Sequence, residues 1–196
     1  METVTRVYDS YGQARQAVAD LEATGVASSD INLIANKYVC DETSNLDERT
    51  SGAGPGAGIG AALGGTAGLL AGLGMIAIPG LGPVVAAGAL AATAVGAAAG
   101  AVTGGVVGAL VRAGVPEEEA QVYCEAVRRG GTLVSVHASA TNMATVRDIL
   151  DRHGPIDALE RRQAYAGEGW RRFDPAAAPY RPTEAEIARM RTPYQN

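Results

Sequence analysis

The sequence predicts an α+β fold: a ferredoxin-like domain, βαβ…αβαβ, split by an inserted glycine-zipper helical hairpin. Three observations predict it. The two ends of the chain each read as strand–helix–strand, and a shift of 129 residues maps Ser10 to Ser139, Ala14 to Met143, Ala17 to Val146, Leu21 to Leu150 and Gly25 to Gly154. Between Arg49 and Arg112 no residue is charged, and glycine recurs every fourth position. The segment Pro79-Gly80-Leu81-Gly82-Pro83 divides that stretch and cannot continue a helix. Two strand–helix–strand units assemble into a four-stranded sheet with helices on one face. A hairpin between them returns the chain to its starting side, so the halves can meet.

The elements follow in order. Val4, Arg6 and Tyr8 alternate with Thr5 and Val7, so residues 3–8 read as a strand. Asp9 and Ser10 cap a helix over 11–24, with Ala14, Ala17, Val18 and Leu21 on one face and Gly25 as its stop. Ile31 to Ala35 is a second strand, which completes a first half over 1–39. Residues 40–51 are polar and acidic and read as a linker. The glycine-rich hairpin occupies 52–113. The second half, 114–162, opens with Pro116 and Glu117-Glu118-Glu119 at the start of a helix, where proline and acids are favoured, and Arg128-Arg129-Gly130-Gly131 ends it. Leu133 to His137 reads as a third strand, 141–153 as a helix with Met143, Val146, Ile149 and Leu150 inward, and Ile156 to Arg161 as a short fourth strand. Residues 163–196 form a tail with scattered prolines and aromatics, which packs over the domain or offers a docking segment. Thr183 and Glu186 make a capping box for a short helix there.

The hairpin carries the functional reading. Gly56, Gly60, Gly64, Gly68 and Gly72 mark one arm, and Gly88, Gly96, Gly100, Gly104 and Gly108 the other, with Pro79, Gly80, Gly82 and Pro83 as the turn. Four residues is slightly more than one helical turn, so each set forms a bare stripe along which backbones can approach closely. As helices, Gly56–Ile78 and Val84–Val111 would extend roughly 35 and 42 Å, against a hydrocarbon core of about 30 Å. The composition is weakly apolar for a membrane span, and no Trp or Tyr belt flanks it. Glycine-rich helices are unstable alone in water. The hairpin must therefore be covered by lipid, by other copies of itself, or by both.

Little else in the chain carries chemistry. The net charge of −5 and a single lysine, Lys37, argue against a nucleic-acid partner. The glycines match neither GxxxxGK[ST] nor a GxGxxG in a βαβ unit. His137 and His153 lack companions at metal-ligand spacing, and Cys40 and Cys124 form no CxxC pair. Arg161-Arg162 and Arg171-Arg172 suit a solvated surface better than lipid headgroups. We expect no catalytic residues, no cofactor and no metal, and we expect a reduced, cytoplasmic setting without a secretory signal.

Three stretches carry a resemblance to a known family: Val7-Tyr8-Asp9-Ser10, then Gly114-Val115-Pro116-Glu117-Glu118-Glu119-Ala120 running through Arg128-Arg129-Gly130-Gly131-Thr132-Leu133-Val134, and Ile156-Asp157 to Glu160-Arg161-Arg162 with Gly169-Trp170 and Phe173-Asp174. With the glycine hairpin between them, the chain resembles the bacterial general stress protein 17M-like or low-temperature-induced proteins. The resemblance implies a stress-associated bacterial protein with no established enzymatic activity, and it supplies no catalytic residues. The expected function is a non-enzymatic stress-response protein that associates with the inner membrane, self-assembles through its hairpin, or does both, with each terminus in the cytoplasm. The alternatives are a soluble homo-oligomer with hairpins as its core, and a small-ligand or redox sensor using Cys40 or Cys124.

Overall fold

A computed structural model of the chain describes residues 2–36, 74–78, 81–87, 105–177 and 183–184. Strand β1 (Glu2–Tyr8) leads into helix α1 (Tyr11–Ala23). A capping box starts α1: Gln13 N donates to Ser10 Oγ at 3.2 Å, and Ser10 N donates to Gln13 Oε1 at 3.2 Å. A 3-10 turn (Ser28–Asp30) precedes β2 (Ile31–Asn36). Strands β3 (Gly74–Ile78) and β4 (Gly82–Ala87) follow, then α2 (Gly105–Arg112), α3 (Glu117–Arg128), β5 (Thr132–Ala138), α4 (Met143–Arg152) and α5 (Ala158–Gly167).

The architecture is mixed α+β. The strands form one antiparallel sheet in the order β1-β5-β2-β4-β3. β5 lies between β1 and β2, with Tyr8 opposite Thr132 and Thr132 opposite Ala35. Apolar residues on alternate positions give the sheet two buried faces. Val4, Tyr8, Ile31, Leu33, Ala35, Val134 and Val136 join α1 and α4 in one cluster. Val7, Ile34 and Leu133 join Leu81, Val84, Ala86 and the helices α2 and α3 in a second. Every residue of β2 is buried, which requires a layer on each side. The expectation of helices on one face is corrected accordingly: α1 and α4 cover one face, α2 and α3 the other.

Two further expectations are overturned. Ile156 to Arg161 is not a fourth strand. Ile156 N donates to Val7 O at 2.8 Å beside β1, and the chain then enters α5. Asp157 is the cause: its Oδ1 accepts from Glu160 N at 2.8 Å and caps the helix. The residues flanking the Pro-Gly turn are not helical either. Gly74–Ile78 and Gly82–Ala87 are paired strands, with Ile78 opposite Gly82. The turn residues Gly82 and Pro83 open β4, while Pro79 and Gly80 lie outside the described residues. The four-residue glycine beat runs to Gly72 and resumes at Gly88, so these strands fall where the helical signal lapses and valine and isoleucine enrich.

One glycine is required by close packing. A Cβ on Gly131 would lie 3.0 Å from Ala126 O and 3.1 Å from Tyr8 O, both backbone atoms. The glycine lets the end of α3 turn tightly into β5.

Candidate functional site

The described residues show where the chain enters and leaves the segments that carry the expected glycine stripes. Gly56, Gly60, Gly64, Gly68, Gly72, Gly88, Gly96, Gly100 and Gly104 lie outside the described residues, as do Cys40 and the acidic linker. The chain enters β3 at Gly74 and leaves β4 at Ala87, and Gly74 pairs with Ala86. Neighbouring strands are about 4.8 Å apart. Gly74 and Ala87, the described residues that adjoin the two glycine-bearing segments, therefore lie at one end of one β-hairpin.

The same place anchors the return of the chain. α2 begins at Gly105 and buries Val106 and Leu110 in the cluster that holds Leu81, Val84 and Ala86. Gly108 is half-buried on α2. The segment between Ala87 and Gly105 thus leaves from and returns to one apolar cluster. Among the described residues no helix is long and apolar enough to cross a membrane.

Several titratable groups elsewhere are engaged in structural pairs. Glu125 is buried on α3, where its carboxylate accepts from Arg128 Nη2 at 2.6 Å and Arg129 Nε at 2.7 Å. The Arg129 guanidinium also stacks 4.1 Å over the Tyr165 ring and pairs with Glu168. Trp170 meets Tyr165 edge-on, with ring centroids 5.7 Å apart, and Phe173 is buried in the second cluster. These aromatics pack over the domain; Tyr180 and Tyr194 lie outside the described residues.

A row of buried polar residues crosses the sheet. Thr5 Oγ1 donates to Ser135 Oγ at 3.0 Å, and Asn32 Nδ2 donates to Ser135 O at 3.2 Å. Nothing in the sequence singled out this row, because threonine, serine and asparagine at alternate strand positions read as a solvated face. The three residues are opposite one another only through the register that places β5 between β1 and β2.

The histidines and the described cysteine occupy ordinary positions. His137 Nδ1 lies 2.8 Å from Thr3 Oγ1, and His153 Nε2 lies 2.9 Å from Asp20 Oδ2, tying α4 to α1. Cys124 is buried, and burial pushes its thiol well above the usual range, which suppresses the nucleophilic thiolate. Among the described residues no group of three or more His, Cys, Asp or Glu could hold a metal ion. An open cleft of about 440 Å³ lies beside α5, lined by Asp9, Asp157, Glu160, Arg161, Tyr165 and Glu168 among others. Arg161 Nη2 donates to Asp9 Oδ2 at 2.6 Å within it, and no serine, cysteine or histidine lines it.

No family model matches the chain, and no curated protein or solved structure matches it.

Proposed function

We propose that this chain is a non-enzymatic, cytoplasmic stress-response protein of the general stress protein 17M-like kind, and that it self-assembles through its glycine-bearing segments. The domain presenting those segments is a ferredoxin-like sheet whose fourth strand has been replaced by α5. One observation carries the reading. β3 and β4 pair antiparallel with Gly74 opposite Ala86, so the described residues that adjoin the two glycine-bearing segments lie side by side. Two bare stripes that adjoin this pair can pack against each other and against further copies.

Self-association is favoured over a membrane span. β3 takes residues 74–78 out of the first arm, so a helix over 56–73 would extend about 27 Å, at the short end of what crosses a hydrocarbon core of about 30 Å. The sensor alternative is weakened by the burial of Cys124.

The test is the double substitution Gly64→Leu and Gly100→Leu, sized by light scattering against the parent chain. The expected result is a large parent particle, a smaller variant, and unchanged far-UV circular dichroism. An unchanged particle size, or a monomeric parent, would overturn the proposal. Recovery of the parent only from carbonate-washed membranes would move the function to the bilayer.

A further inference from the structure

We infer that α5 is a salt-released latch, a helix fastened to the rest of the domain chiefly by exposed ion pairs. It opens locally between two apolar anchors while the sheet stays folded. The inference stands apart from the self-assembly reading and does not rest on it.

Apolar burial contributes little to holding α5 down. Of its ten residues only Tyr165 is buried. α4 has the same length and buries Met143, Val146, Ile149 and Leu150. The one leucine of α5, Leu159, is 68% exposed. The open cleft is lined by Asp9 and Ile156 as well as by Arg161, Ala164 and Tyr165 of the helix, so α5 stands off from the β1–α1 connection there.

Three ion pairs supply the fastening. Arg161 Nη2 lies 2.6 Å from Asp9 Oδ2, Arg162 pairs with Glu118 on α3, and Glu168, just past the helix, pairs with Arg129. The carboxylate side chains of Asp9, Glu118 and Glu168 are 63, 78 and 59% exposed. Pairs this exposed are individually weak in water, and salt weakens them further.

Opening leaves no buried charge without a partner. Glu125, the buried carboxylate beneath the latch, keeps both Arg128 and Arg129, so the penalty for orphaning an ion does not arise. Trp170 Nε1 is buried without a hydrogen-bond partner among the described residues, and water would satisfy it on release. What is lost is the stacking of Arg129 over Tyr165 and the edge contact of Tyr165 with Trp170. Ile156 and Phe173 stay seated in the second apolar cluster on either side, and Ile156 N stays on Val7 O. The step is therefore local and reversible, of the kind that amide exchange detects below global unfolding.

The test is peptide-resolved amide exchange of the full chain at about 0.05 M and about 1 M sodium chloride, with β5 as the internal reference. Amides of residues 161–168 should exchange faster than those of β5 at both concentrations, and at least roughly threefold faster at high salt than at low. Exchange of β5 should not accelerate. The triple variant Asp9→Asn, Glu118→Gln, Glu168→Gln should exchange at the high-salt rate already in low salt and respond little to added salt. α5 amides as slow as β5, or equally fast at both concentrations, would overturn the inference. A variant as salt-sensitive as the parent would overturn it too, because the three pairs would then not be the fastening. Should the variant unfold, seen as β5 exchanging together with α5, the parent titration alone decides. Light scattering at both salt concentrations separates the latch from assembly: acceleration at constant particle size supports it, and acceleration only where the particle dissociates overturns it.

Discussion

Tyr123 shows how burial sets a residue's behaviour. Burial, helped by the nearby Glu119 carboxylate, pushes its phenol up to about 12, whereas an unfolded tyrosine ionises near 10. The folded-state value is raised, so the stabilisation from neutral Tyr123 is fully present below about pH 10. It is lost as pH rises from about 10 to 12, at up to about 1.4 kcal/mol per unit. Tyr123→Phe should flatten that alkaline decline in urea midpoints; an identical decline would assign it elsewhere. Gly131 makes a different demand. Gly131→Ala should destabilise by about 1–3 kcal/mol, because the atoms its Cβ would meet are backbone and cannot rotate away. Chemical denaturation would measure this directly. The sequence marked Gly130-Gly131 as a helix stop, but the approach of Tyr8 O to Gly131 depends on β1 lying beside β5, which no local pattern encodes.

At the scale of elements, legibility followed the strength of the local signal. α1 was readable because Ser10 caps it ahead of an apolar Ala14, Ala17, Val18 and Leu21 face that ends at Gly25. β1, β2 and β5 were readable from alternation and β-branched residues. α5 was misread because Ile156 suggested a strand, while the stronger signal was Asp157 three residues ahead of Glu160, with charges throughout the following turn. Asp157→Ala should therefore cost about 1 kcal/mol and fray the first turn of α5. Faster exchange of the Glu160 amide would report it, and unchanged exchange would show that the cap is dispensable. β3 and β4 were hidden for another reason. They lie inside a long uncharged stretch, and a five-residue apolar run there is ambiguous between strand and helix.

The molecule as a whole is a split fold. β1 and β2 are not neighbours, since β5 separates them. Residues 1–36 therefore contain no strand pair of their own and depend on the second half for their sheet. A chain divided genetically after Arg49 and co-expressed as two pieces should yield a folded complex that co-elutes, whereas the first piece alone should be unfolded by circular dichroism. Independent folding of that piece would contradict the strand order. The candidate site was legible at this scale only in part: the glycine beat and the break at Pro79–Pro83 were plain in the sequence, but the paired strands on either side of that break were not.

The central position of β5 also has a consequence during synthesis. β2 ends at Asn36 and β5 at Ala138, 102 residues later. At translation rates of about 5–20 residues per second, the first half waits about 5–20 s for the strand that must insert into it. The uncharged stretch emerges from the ribosome during that wait. Ribosomes arrested before residue 132 should therefore carry a first half that added protease cuts readily, and release past residue 138 should make it resistant.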